Sequence, residues 1–279
     1  MFNLEKTEGV LLGVVLALLT AAIFGPFVAQ PGHLHGFADQ RSWWGIACAR
    51  DVLSNLPFAL LGLLGLVCLF SHRRQISLAQ RGLATLFFIG LAVTAAASSW
   101  YHWQVDDAGL AIDRLGMVVA FAGLLGLAAA DRISARAGLA LGLAVLVLGP
   151  LSVAVWFALG NVLAWAALQF GGMALVLWLA WVKPVPGALA VRWGWVIVIY
   201  AVAKIFEQAD EAVYALSSQL VSGHSIKHVV ASFAAFPVIA AIVDLGKNRA
   251  ESASPFRTGS ANRAASRADR ITTAKRSEA

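Results

Sequence analysis

Charge is scarce in this chain. Asp, Glu, Lys and Arg make up 13% of its 279 residues, about half the share found in an ordinary soluble domain. The little charge there is sits unevenly: 11 of the 36 charged side chains fall in the last 33 residues, leaving 25 for the first 246. A water-exposed surface cannot be built from so few, which excludes a soluble globular fold. A hydrophobic fraction of 59% and a mean hydropathy of +0.76 exclude a disordered chain. Cysteine is almost absent. Cys48 and Cys68 are separated by 20 residues, about 30 Å along a helix and far beyond disulfide reach, so they read as packing residues. Internal repeats, a glycine-rich phosphate loop and any nucleic-acid-binding module are also missing. The pI near 9.7 is therefore a topology signal and not the footprint of a nucleic-acid partner.

Long apolar runs are what the chain has in quantity. A bilayer core of about 30 Å needs roughly 20 apolar residues in a helix. Eight runs meet that length: 9–29, 51–71, 82–103, 110–130, 137–158, 160–182, 189–211 and 224–245. They are rich in Leu, Ala and Val and do not alternate, so they predict helices, which satisfy every backbone group within the segment. The first run reads as a retained span. Its apolar stretch from Gly9 to Ala29 is longer than a leader's, and its flank of Glu5, Lys6 and Glu8 is not basic.

Basic residues orient the spans. Alternate connections carry Arg73, Arg74 and Arg81, then Arg132 and Arg136, then Lys183 and Arg192. With Lys6 and the tail, 16 of the 21 Lys and Arg fall on one side. By the positive-inside rule both termini are cytoplasmic, as an even number of spans requires. The Ser/Ala/Arg-rich tail from Lys247, with a net charge of +5, reads as a disordered basic segment that helps set topology or touches anionic lipid headgroups.

Ionisable side chains inside a bilayer are costly and mark functional sites by default. Here they gather at one depth. Asp51, Ser54 and Asn55 begin the second run, Ser98 and His102 end the third, and Asp113 and Arg114 open the fourth. Glu207, Asp210 and Glu211 end the seventh, while His224, Lys227 and His228 begin the eighth. Alternating helix direction brings all of these to the extracytoplasmic side, as one polar chamber. His224 and His228 are four apart and share a helical face; Ser98 and His102 repeat that spacing on another helix. Three imidazoles from two helices make a three-nitrogen face for zinc with a fourth position open to water. Such an ion acidifies water and polarises a carbonyl. Asp113, a short turn after His102, is placed to take the water's proton, and the Ser98 hydroxyl to position the water or an oxyanion.

The order Ser98-x3-His102, Asp113 eleven residues on, then His224-x3-His228 in the last span resembles the alkaline ceramidase family. It also resembles the wider superfamily of seven-span membrane hydrolases that includes adiponectin-receptor-like proteins. The stretches Phe37-Ala38-Asp39-Gln40-Arg41 and Asp51-Val52-Leu53-Ser54-Asn55 are similar to the opening of bacterial ceramidase-like members. The resemblance spans about residues 37–245. It implies an all-α integral membrane protein with a seven-helix transmembrane core and one extra N-terminal helix. The chain then divides into residues 1–36 (first helix and start of the outer loop), 37–246 (catalytic core) and 247–279 (tail). It further implies a bacterial inner membrane setting, zinc held by His102, His224 and His228, and Asp113 and Ser98 contacting the bound water. The implied reaction is hydrolysis of a ceramide-like membrane lipid to a fatty acid and a sphingoid base. The acidic calcium site that eukaryotic members carry ahead of the core is not reproduced around Gly36–Arg50, so calcium does not carry over with the zinc. The rival expectations are a zinc hydrolase for another acylated lipid and a lipid receptor or sensor in which zinc is structural. A proton-relay transporter is disfavoured, because the polar residues do not cross the membrane.

The remaining polar residues have plainer readings. Glu207, Asp210 and Glu211 read as an internal ion-pair set with Lys204, or as groups orienting a histidine or binding a substrate amine. Arg114 and Lys227 read as neutralising these acids or snorkelling outward. Asp51, Ser54 and Asn55 read as caps of the second helix, or else as chamber lining. His33 and His35 read as surface histidines of the outer loop, with lid or accessory metal contacts as the alternative.

Overall fold

A computed structural model describes residues 5–32 and 35–252, with side chains as far as Leu245 at the C-terminal end. His33 and the basic tail from residue 253 onward lie outside the described residues. The protein is an all-α integral membrane protein, with no β-strand among the described residues. Seven helices are long and apolar enough to cross a membrane. They are α1 (Lys6–Phe24), α2 (Ala49–Ser71), α3 (Leu78–Trp103), α4 (Asp107–Arg132), α5 (Ala135–Leu159), α6 (Leu163–Trp181) and α9 (Gly223–Leu245), the last remaining helical in its backbone to Ser252. Between α6 and α9 come α7 (Trp193–Gln208) and the short α8 (Asp210–Leu216).

The run at 189–211 is thus not a full-length span. Its helix has 16 residues, about 24 Å at 1.5 Å per residue. The reason lies at the end of α4. Asp131, fully buried, accepts from the backbone N–H groups of Ala190 (2.8 Å) and Val191 (3.1 Å) and from Trp193 Nε1 (2.9 Å). Its neighbour Arg132 pairs with it at 3.2 Å and donates to the carbonyls of Val182 (2.7 Å) and Val191 (2.5 Å). Residues 189–192, apolar enough to read as helix, instead form a non-helical connection, with Ala190 in the left-handed region at φ 56°, so that a buried carboxylate and guanidinium are satisfied, as burial demands. At its other end α7 stops at Ala209, and the chain bends into α8.

Helices α3 and α4 form the centre of the bundle. They approach backbone to backbone: a Cβ at Gly90 would sit 2.3 Å from the Ala120 nitrogen, and one at Gly123 would sit 2.2 Å from the Phe87 nitrogen. Small residues at such crossings replace the hydrophobic drive that lipid does not supply. Helix α1 is held from outside. Buried Glu8 accepts from Ser134 Oγ (2.6 Å) and pairs with Arg136 at the start of α5, and Leu18 packs against Gly171 in the π-helical turn of α6. The up-and-down course leaves the starts of α2, α4 and α9 and the ends of α3 and α7 at one end of the bundle. The arginine-bearing connections lie at the other.

Candidate metal centre and active site

His102, His224 and His228 meet at that polar end. Their ring centroids form a near-equilateral triangle of 4.9, 4.9 and 4.8 Å. One ligand nitrogen from each lies within 4.8 Å of the others. His102 and His228 are buried and His224 is half-buried. The α3–α4 crossing fixes His102. The position of the other two depends on Gly223, where a Cβ would lie 2.3 Å from the Phe206 carbonyl oxygen and 2.8 Å from the Asp210 Cα. Only glycine lets the start of α9 lie this close to the end of α7. That approach brings the His224 N–H to Asp210 Oδ1 (2.7 Å), while Asp210 Oδ2 accepts from Ala38 N–H (3.0 Å).

The rings are oriented by polar neighbours. Ser54 Oγ donates to the Asp51 carbonyl (2.8 Å), so its oxygen is left to accept from His228 Nδ1–H at 2.8 Å. A ring that is protonated at Nδ1 presents an unprotonated Nε2. His224 Nε2 lies 2.9 Å from Lys227 Nζ and accepts from it, so a metal ion on that nitrogen would take the place of the ammonium. His102 Nδ1 is buried with no hydrogen-bond partner among the described residues. Three neutral imidazoles, one with an orphaned nitrogen and one locked into a single tautomer by its outer partner, suit a zinc ion.

Asp113, one turn and a half into α4, faces Ser98, which is buried one turn before His102 on α3. The two residues expected to flank the water are thus neighbours, one helical turn along α3 from the His102 position. No protein-family model matches this chain. No curated protein matches it either. The donor geometry is what carries the functional argument.

Other residues land differently from their sequence readings. Asp51, Ser54 and Asn55 do not cap α2: its N-cap is Cys48, and no side chain bonds the free N–H groups there. Asp51 instead reaches across to α9, accepting from Ser222 Oγ (3.3 Å) and Ser225 Oγ (2.6 Å), and Asn55 Nδ2 donates to the Asp51 carbonyl (3.0 Å). Glu207 pairs with Lys204 and also with Lys227 (3.3 Å). Asp210 serves as the clamp described above. Glu211, in the first turn of α8, is exposed and takes no part in the cluster. Arg114 neutralises none of these acids. It donates to Gln30 Oε1 (2.9 Å) and lies 4.0 Å over the Trp156 ring. His35 is a tether, with ring nitrogens at 2.9 Å from the Tyr101 hydroxyl and 3.1 Å from Asp107 Oδ1.

The outer loop ahead of α2 covers the site. Phe37, 5% exposed, stands 4.5 Å from the His102 ring and 4.7 Å from the His224 ring, and so roofs the triad. Two residues later Asp39 is buried, with Arg41 Nε and Nη2 on its two oxygens at 2.8 and 2.7 Å and Arg50 at 3.7 Å. Burial pushes its carboxyl up, but the Arg41 bonds and the charges of Arg41 and Arg50 outweigh this and hold it below the ordinary range. Arg41 also donates to the Gln219 carbonyl (2.6 Å), joining the loop to the α8–α9 connection. Burial, with Asp51 and Asp39 nearby, pushes the Cys48 thiol up to about 11, which makes it a packing group. Sequence reasoning passed over Phe37 as a contact of the histidines. An apolar residue in a loop carries no periodicity from which its inward orientation can be read.

Proposed function

We propose that this protein is a zinc-dependent membrane hydrolase that cleaves the amide bond of a ceramide-like lipid, giving a fatty acid and an amine-bearing product. The observation that carries the reading is the meeting of His102, His224 and His228, with Phe37 packed against two of the rings and the facing Asp113 and Ser98 one turn away along α3. Zinc on these three imidazoles would supply Lewis-acid activation of the acyl carbonyl and of water.

The chain's own residues do the rest. Asp113 takes a proton from the attacking water as the new C–O bond forms, then returns it to the amide nitrogen as the C–N bond breaks. The Ser98 hydroxyl donates its one proton to the oxygen that gains charge. Phe37 and the clamped outer loop keep bulk water off the reacting atoms, which strengthens every charge interaction within. The site lies at the end of the bundle opposite the arginine-rich connections, so the positive-inside rule puts it toward the extracytoplasmic leaflet of what we take to be a bacterial inner membrane.

The test is metal analysis of the purified full-length chain combined with an amide-hydrolysis assay over a lipid panel. Zinc near one equivalent and chelator-sensitive acyl release are expected, and both should be lost in His228→Ala. Bound zinc with no turnover of any acyl amide or ester would instead favour a receptor or sensor.

A further inference from the structure

Two lysines share a single carboxylate beside the imidazoles. Among the described residues Glu207 is the only acid within ion-pair distance of Lys204 or of Lys227. A cation at bilayer depth is retained where it is paired or used; here two ammonium groups have one carboxylate in direct contact, while Asp113 and Asp51 act on Lys227 only from beyond ion-pair distance. The other buried pair in the bundle shows what a purely structural arrangement looks like. Asp131 and Arg132 stand one to one, 0% and 9% exposed, with their remaining bonds made to backbone groups and to Trp193 Nε1–H. The Lys204–Glu207–Lys227 set is open by comparison, at 27%, 26% and 19% exposed.

Lys227 is the more telling member. An ammonium has three protons to donate. One goes to Glu207 (3.3 Å) and one to His224 Nε2 (2.9 Å), and the third has no acceptor among the described residues. Three residues after His224 on α9, it lies on that residue's side of the helix and reaches its ring. Lys204 stays at the site because its ammonium lies 5.7 Å over the Phe170 ring, which favours a cation there. The third basic group of the chamber, Arg114, bonds Gln30 through Nη2 and stacks on Trp156, with its Nη1 left without a partner among the described residues.

We propose that Lys227, supported by Lys204, is a subsite for an acidic group on the lipid, so that the substrates are N-acyl lipids bearing a carboxylate or phosphate next to the scissile amide. Neutral ceramide lacks such a group. The amide part of this statement rests on the hydrolase reading; the anion subsite itself does not. A hydrogen bond between an ammonium and an oxyanion is about twice as strong as its neutral counterpart. Exchanging the acid for a neutral isostere is therefore expected to cost about ten- to a hundred-fold in affinity.

The experiment is equilibrium binding to the full-length protein in detergent, read by displacement of a fluorescent acyl probe. The ligands are non-hydrolysable: N-(octadecylsulfonyl)glycine against its glycinamide, and N-(octadecylsulfonyl)-O-phosphoethanolamine against the unphosphorylated alcohol. The wild-type protein is expected to prefer one or both acids at least tenfold, and whichever pair shows the preference identifies the oxyacid. Lys227→Met should bring that ratio close to one, and Lys204→Met should lower it partly. Equal affinity for acid and neutral partner in the wild type overturns the proposal without any variant, and so does an undiminished ratio in a folded Lys227→Met protein. The two readings fail separately. An acid preference with no hydrolysis of any amide removes the hydrolase and leaves the subsite, whereas turnover of neutral ceramide without acid preference does the reverse.

Discussion

Replacing Ser54 by alanine tests whether the imidazoles are oriented for a metal. Ser54 accepts from His228 Nδ1–H at 2.8 Å while donating to the Asp51 carbonyl, and so selects one tautomer. A divalent cation on Nε2 makes the Nδ1–H a stronger donor, so the bond gains about 1 kcal/mol when the metal binds, and that gain is lost with the hydroxyl. Without it the two neutral tautomers approach equal population, and halving the competent form adds about 0.4 kcal/mol. The sum, about 1.4 kcal/mol, is a tenfold loss of zinc affinity, at the lower end of the 10- to 100-fold usual for the outer partner of a ligating histidine. Competition with a chromophoric chelator in detergent measures it, and the cobalt-substituted visible spectrum reports the ligand geometry. Ser54→Thr, which keeps the hydroxyl, should retain most of the affinity. Zinc binding by Ser54→Ala within twofold of wild type would refute the argument, because the serine would then be orienting nothing.

Other outcomes follow from the same structure. Asp113→Asn should retain zinc by elemental analysis but lose about 10²- to 10⁴-fold in acyl-release rate, the range for a lost general acid–base; equal loss of metal would make Asp113 a ligand instead. Asp131→Ala strands the Arg132 guanidinium and the donors of Ala190, Val191 and Trp193. It should destabilise the fold by about 3–5 kcal/mol, read as a lower unfolding temperature, with Asp131→Asn milder. Because the carboxyl of Asp39 is held below its ordinary range, its stabilisation of the outer loop is fully present above about pH 4, the unfolded value. It is lost as pH falls through the folded value. Hydrogen exchange of residues 37–48 should therefore quicken below that pH, and Asp39→Asn should remove the pH dependence by exchanging quickly throughout.

Much of the site was readable beforehand because its informative spacings are local. Ser98 and His102, and His224 and His228, are each one helical turn apart, so any helix through them must align them. The approach of the two helices was an expectation drawn from depth alone, and the ring triangle agrees with it. The errors have a common cause. Residues 189–192 look helical by composition, yet a carboxylate 59 residues away in the chain claims their N–H groups. Asp51, Ser54 and Asn55 have the residue types of a cap, but the serines of α9 and the ring of His228 compete for them. By depth alone Arg114 is expected to neutralise Glu207, Asp210 and Glu211, and it stacks on Trp156 instead.

The amino-acid order alone therefore determined the helical class, the position of most apolar runs and the pairing of polar residues on single helix faces. Each of these follows from hydropathy and the 3.6-residue period, which are properties of neighbours along the chain. Only the tertiary structure decided the length of α7, the nitrogen that His228 presents, the place of Phe37 over the imidazoles and the sharing of Glu207 by two lysines. Those depend on which groups meet across helix crossings, where a buried polar atom takes the partner that packing leaves within reach.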